Sequence, residues 1–302
     1  MNVRANSIKS AIADFMVRRG IPGEMEQNLI KEAIHLHLLS ALSEAGVLRH
    51  VVFQGGTALR LCYGGERYSE DLDFVCGKAG SYIDKIEFEK LVGRALETTK
   101  KNLRREFDIN PYEILLKQPP FPMDVKSGSA KVAAWQISVP TTSLRHLPKS
   151  RIKIEFANVP SYDSGPNMAK TVPGLVQIED VILTVESADE ILADKAVALT
   201  ARRALKYRDV WDVWFLTTKL NAQIDAGMVA KKFADYGTSN VEARAKQRQE
   251  ELTKPSTERA FLAEMTRFLP AKRVSEIGDV DLHKSILAAS SDLIARAVLS
   301  PQ

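Results

Sequence analysis

FQGGTALRLCYGGERYSEDLDFV, residues 53–75, places two glycine doublets ahead of Glu70, Asp71 and Asp73 within one short stretch. The run His50 to Gln54 (HVVFQ) is short and β-branched and ends in Gly-Gly, while Asp71 to Cys76 (DLDFVC) alternates acid with apolar. Both read as strands, with Thr57 to Tyr63 a short helix between them. Gly55 and Gly56 permit close approach of a ligand to the backbone. Thr57, opening the helix, adds a hydroxyl where free N–H groups and the positive end of the helix dipole favour phosphate. Strand alternation puts Asp71 and Asp73 on one face, about 7 Å apart, with Leu72 and Phe74 on the core side. Two such carboxylates suit a hard divalent cation, Mg²⁺ first, whose other ligands are phosphate oxygens and water. The two halves of the stretch therefore fit one substrate, a metal-bound nucleotide.

Plainer readings exist for each half alone. Gly-Gly-Thr could be a tight turn with a helix cap, and Asp-Leu-Asp the exposed face of an edge strand. Strand, turn, helix and strand in the required order make their joint coincidence the weaker explanation. The chain has no GxxxxGK[ST] and no GxGxxG, which counts against P-loop and dinucleotide-binding folds.

Upstream, Glu24 to Ala45 carries apolar residues at three- and four-residue spacing and is followed by Gly46, an amphipathic helix with its stop signal. His35 and His37 lie within it about 200° apart, too far around the helix to share a metal from one face. Downstream, Asp84 to Phe107 reads as a long charged helix, and YEILLKQ, AAWQISVP and RIKIEFANV as three strands. After the turn-rich Asn158 to Gly174 the pattern turns helical nearly to the end. The expected division is a domain at 1–165 with a mixed sheet and flanking helices, then a mainly helical domain at 166–302. Residues 235–254 are polar and fit either a connection or a solvated helix. No internal repeat stands out.

The 302 residues are 45% hydrophobic and 26% charged, ordinary values for a globular protein, and the net charge of +4 permits nucleic acid without demanding it. Cys62 and Cys76 suggest neither a disulfide framework nor a zinc site. Neither a signal-peptide-like run nor a membrane span is evident, so the expected location is cytoplasmic.

GGTALRLCYGGERYSEDLDF resembles the signature of DNA-polymerase-β-type nucleotidyltransferases, and specifically the AbiEii/AbiGii toxin family, with its MenT-like members, of type IV toxin–antitoxin and phage-defence systems. Gly56, Thr57, Asp71 and Asp73 match the family pattern position by position, and Arg67, Ser69 and Glu70 match this branch. The resemblance implies an α+β fold: a polymerase-β-like domain followed by a helical domain that contributes residues to the site. It implies that Gly55, Gly56 and Thr57 hold the triphosphate of an NTP, and that Asp71 and Asp73 bind Mg²⁺, with Mn²⁺ as a substitute. Such enzymes use a third carboxylate on a later strand, as base or metal ligand. Glu155 in RIKIEFANV is the candidate, although the family more often has Asp there. The alternative is a solvent-facing Lys153/Glu155 pair on an edge strand.

A second stretch of resemblance, ADEILADKAVALTARRALKYRDVWDVWFL (188–216), has a helical Lys before an Arg-Asp-x-x-Asp-hydrophobic helix. Lys195, Arg202 and Asp209 are spaced by seven, which on one continuous helix keeps them on a common face. By resemblance Lys195 and Arg202 contact the nucleotide and Asp209 orients them or joins the site. Asp212 fits a structural pairing, and Trp211, Trp214 and Phe215 fit the core. Without the family, this stripe reads as solvated charge.

The implied chemistry is attack of an acceptor hydroxyl on the α-phosphate with loss of pyrophosphate. Some family members add nucleotides to tRNA 3′ ends and so stop translation. Basic clusters at Lys100, Lys101, Arg104 and Arg105, from Arg145 to Lys153, and at Arg202, Arg203, Lys206 and Arg208 could hold RNA. A cognate antitoxin is implied, with direct binding left open. Other acceptors, γ-phosphoryl transfer, or a non-catalytic nucleotide- or RNA-binding module remain as alternatives.

Overall fold

A computed structural model describes residues 7–77, 85–118, 132–141, 149–279 and 281–299. Asp84 and Arg145 of the expected features lie outside these residues. The strands are β1 (Val51–Gln54), β2 (Leu72–Cys76), β3 (Leu115–Lys117), β4 (Val132–Val139), β5 (Ser150–Pro160), β6 (Ser164–Ala169) and β7 (Val181–Glu186). They form one mixed sheet in the order β3-β4-β5-β2-β1-β7-β6. β1 runs antiparallel to β2 and parallel to β7, and β2 runs parallel to β5.

The helices that precede the last strand are α1 (Ile8–Arg19), α2 (Glu26–Glu44), α3 (Gly55–Cys62) and α4 (Lys85–Phe107). Helix α2 buries His35 and His37 along with Leu29, Ile34, Leu38 and Leu42, so both histidines pack in the interior. After β7 the chain is helical: α5 (Ala188–Ala201), α6 (Tyr207–Lys219), α7 (Ala226–Asp235), α8 (Val241–Leu252), α9 (Pro255–Met265), α10 (Ala271–Asp279) and α11 (Leu282–Ile294). The polar stretch 235–254 thus contains a helix, α8, with only Ala245, Arg248 and Leu252 buried.

The chain divides into two compact units at other points than the expected 165/166 boundary. The sheet unit includes Pro166–Val185, while Ser161–Gly165 and the chain from Glu186 onward belong to the helical unit. The physical reason is that the sheet does not end at the turn-rich stretch: β6 lies within it and β7 follows it. β6 reads SGPNMA, a composition poor in the β-branched and aromatic residues that mark strands.

One register fixes the centre of the sheet. Phe53 pairs with Phe74 and Phe74 with Phe156, while one residue along Gln54 pairs with Asp73 and Asp73 with Glu155. Because side chains alternate, a row of aromatics faces one side and a polar row the other. The aromatic row is packed ring to ring, 5.0 Å from Phe53 to Phe74 and 5.1 Å from Phe74 to Phe156, and α4 adds Phe88 at 5.0 Å from Phe156. Burying that row leaves the carboxylates on the opposite face. Cys62 and Cys76 are free thiols.

Candidate active site

β1 ends at Gln54, and Gly55 turns the chain directly into α3 with φ +77°. Only glycine adopts that backbone without strain. Space is also short there, since a Cβ on Gly55 would lie 2.8 Å from Asp73 Oδ2. At Gly56 a Cβ would collide with Arg67 Nη2 and stand 3.0 Å from Ser69 Oγ. The glycines therefore admit Asp73 and Arg67 against the turn, an internal reason for them beside the ligand approach expected from sequence. Arg67 is 4% exposed and donates from Nη1 to the Tyr68 carbonyl at 3.0 Å. Thr57 is buried, and its hydroxyl donates to the backbone carbonyl of Asp71. That hydroxyl positions the carboxylate strand rather than standing open at the helix start.

The segment leading to the acids is held from two helices. Lys31 of α2 bonds Glu70 Oε1 at 2.7 Å, and His35 lies 3.1 Å from the Glu70 carbonyl. Burial lowers the His35 pKa to about 4, which keeps the ring neutral. Arg60 of α3 pairs with Glu32 at 2.7 Å, lies over the Tyr68 ring at 4.3 Å, and donates to the carbonyls of Gly65 and Glu66.

Asp71 precedes β2 and its Oδ1 accepts from the Lys153 backbone N–H at 3.2 Å. Asp73 is half-buried on β2, opposite Gln54 on one side and Glu155 on the other. β2 and β5 are both interior strands, so the edge-strand readings of Asp-Leu-Asp and of Lys153/Glu155 do not hold. Lys153 Nζ is 3.7 Å from Glu155 Oε1. Among the described residues no group of three or more His, Cys, Asp or Glu side chains is gathered as a metal site. The donor chemistry nevertheless fits Mg²⁺: hard carboxylate oxygens beside a glycine turn suit an ion that completes its shell with phosphate and water.

In the helical unit the expected continuous helix from Lys195 to Asp209 is absent. α5 ends at Ala201, Arg202 is extended at φ −68° and ψ 141°, and α6 starts at Tyr207. Helix α8 takes the last carbonyls of α5: Arg248 Nε donates to Leu199, Arg248 Nη2 to Arg202, and Arg244 Nη1 to Ala201. Lys195, Arg202 and Asp209 still meet, across the break rather than along one face. Lys195 Nζ lies 2.7 Å from Asp209 Oδ1 and 2.7 Å from Asp212 Oδ2, and Arg202 pairs with Asp209 Oδ2. Burial pushes the Asp209 carboxyl up, but Lys195 and Arg202 outweigh it and hold the group at about 2. Asp212 thus has the structural pairing expected of it. Trp211 and Trp214 are buried, with ring centroids 4.9 Å apart, as core residues.

A second buried charge cluster carries no sequence motif. Lys232 of α7, 1% exposed, lies 2.8 Å from Glu190, 2.8 Å from Asp194 and 3.5 Å from Glu186. Burial works against its charge, yet these carboxylates raise its pKa well above the ordinary lysine value. Glu190 and Asp194 share an i,i+4 face of α5, the one local signal for it.

A glycine turn from strand to helix, carboxylates on the neighbouring interior strands and a following helical unit define the polymerase-β-like nucleotidyltransferase class. The family follows from comparison with known proteins. Residues 37–280 match the family described as nucleotidyl transferase AbiEii toxin, type IV TA system, and the chain belongs to that family. It is a nucleotidyltransferase toxin, which takes a nucleoside triphosphate and is paired with an antitoxin. No curated protein matches the chain. Among solved structures, JHP933 from Helicobacter pylori is 20% identical with a TM-score of 0.48, over 91% of this chain and 94% of that one. MenT4, nucleotidyltransferase toxin Rv2826c from Mycobacterium tuberculosis H37Rv, is 16% identical with a TM-score of 0.48, over 96% and 98%. No helix among the described residues is long and apolar enough to cross a membrane.

Proposed function

We propose that this toxin transfers a nucleoside monophosphate from an NTP to an RNA acceptor, the 3′ end of tRNA, and so blocks translation. The observation that carries the site is the register of Asp73 between Gln54 and Glu155, beside the Gly55 turn and away from the aromatic core. Asp71 and Asp73 hold Mg²⁺, which Mn²⁺ can replace, and Glu155 is the third carboxylate. The ion, when bound, supplies charge neutralisation for the attacking and leaving oxygens. Glu155 takes the proton of the attacking hydroxyl, a role that its position across from Asp73 supports. The backbone of Gly55, Gly56 and Thr57 at the start of α3 orients the phosphates. In the helical unit Lys195 and Arg202 are phosphate contacts and Asp209 positions both cations, consistent with its pairing to each. The RNA acceptor rests on the family's toxin character.

The test is incubation of the purified protein with Mg²⁺, total tRNA and each α-labelled NTP, beside Asp71→Ala and Asp73→Ala. Label on tRNA with the wild type alone is the expected result. Label transferred by both variants would end the metal-site assignment. No label on RNA would end the RNA reading and turn the search to protein or small-molecule acceptors.

A further inference from the structure

The helical unit contains a cavity of about 480 Å³, within the range of ligand pockets. Arg202, Arg203, Arg244 and Arg248 line it against a single carboxylate, Glu251. Two of these cations are fixed in place before any ligand arrives, Arg248 and Arg244 by the carbonyls that end α5. Arg203 is exposed and, among the described residues, has no hydrogen-bond or ion-pair partner. Thr200, which also lines the cavity, is 2% exposed, and its Oγ1 has no hydrogen-bond partner among the described residues. A buried hydroxyl without a partner is unfavourable, because it has given up its bonds to water and gained none. An oxyanion brought among these arginines would satisfy that donor and the guanidinium of Arg203 together.

We infer that this cavity is a phosphate-binding site and that its ligand is the sugar–phosphate backbone of the RNA acceptor. Guanidinium forks match phosphate oxygens bidentately. No aromatic side chain lines the cavity among the described residues, so it offers no platform for a base, and contacts of this kind position a strand without reading its sequence. Arg202 links the cavity to Lys195, because the Asp209 carboxylate bonds both. The identity of the ligand rests on the RNA reading proposed above. The phosphate chemistry does not.

The experiment measures binding of fluorescently labelled tRNA across a series of salt concentrations, for wild type, Arg203→Gln and Arg203→Glu. Arg203 is exposed and without a partner among the described residues, so both variants should fold. Arg244→Gln is added with its melting curve, since Arg244 also holds a helix end. Expected is weaker binding irrespective of RNA sequence, with the slope of log K against log salt shallower by about one for Arg203→Gln. Unchanged affinity and slope in all three variants would overturn the site. Should wild type bind no tRNA, the RNA ligand falls, and thermal stabilisation by inorganic tripolyphosphate becomes the reading. Stabilisation of wild type that is lost in Arg203→Gln would then support a phosphate site filled by a free nucleotide. Equal stabilisation of both, or none, would overturn the site altogether.

Discussion

Gly55 is constrained in the candidate site by both its backbone and its neighbours. An alanine there must hold φ +77° and bring its Cβ within 2.8 Å of Asp73 Oδ2. Gly55→Ala is therefore expected to cost about 1–2 kcal/mol for the left-handed backbone alone and to lose nucleotidyl transfer by displacing Asp73; urea melts and the labelling assay check both. Lys195 poses a different problem, because it neutralises two buried carboxylates. Lys195→Ala should destabilise the fold by about 3–5 kcal/mol, the cost of stranding buried charge. Adding Asp209→Asn and Asp212→Asn should recover much of that stability without recovering activity. A triple variant as unstable as the single one would show that charge is not the cause. The turn from strand to helix at Gly55 and the placing of Asp73 on the strand that follows were legible because they rest on local spacing. Arg67 against Gly56 and Lys232 among its acids were not, since each meets partners that only the tertiary fold brings near.

Among the elements, α2 carries the clearest pH response. His35 is neutral in the folded chain, with its pKa lowered from 6.5 to about 4 by burial. A base with a depressed folded pKa contributes stability that is full above 6.5 and lost as pH falls toward about 4. The loss should reach about 3 kcal/mol. Urea titrations at pH 7 and pH 5 should differ in wild type by more than in His35→Gln; equal differences would mean that other groups dominate. The α5–α6 pair shows where element reading stops. Lys195, Arg202 and Asp209 meet, but not along the one face that seven-residue spacing implies, because the arginines of α8 end α5 at Ala201 and no periodicity records a distant capping partner. The strands fared better where they alternate, as in β2 and β5, and worse in β6, where Gly, Pro and Asn hide an extended chain.

For the molecule as a whole, the sheet stands on apolar packing beneath the acids. Phe53, Phe74, Phe156 and Phe88 join a core that includes Leu72, Val92 and Ile154. On the proposed reading, metal therefore serves the chemistry and not the folding. EDTA is expected to abolish transfer, and Mg²⁺ or Mn²⁺ to restore it, with the thermal unfolding curve unchanged throughout; a melting temperature that drops with chelation would give the metal a structural part. The mixed sheet followed by helices was readable from the order of elements, whereas the point of division was not, because one strand runs through the turn-rich stretch and another comes after it. The tryptophans divide in the same way. Trp135 sits in the sheet unit against Phe88 and Phe156, and Trp211 and Trp214 touch each other in the helical unit. The chain consequently carries its own optical labels: Trp135→Phe would leave emission from the helical unit alone, and the coupled indoles on α6 would give a near-ultraviolet dichroism signal sensitive to any shift beside Asp209.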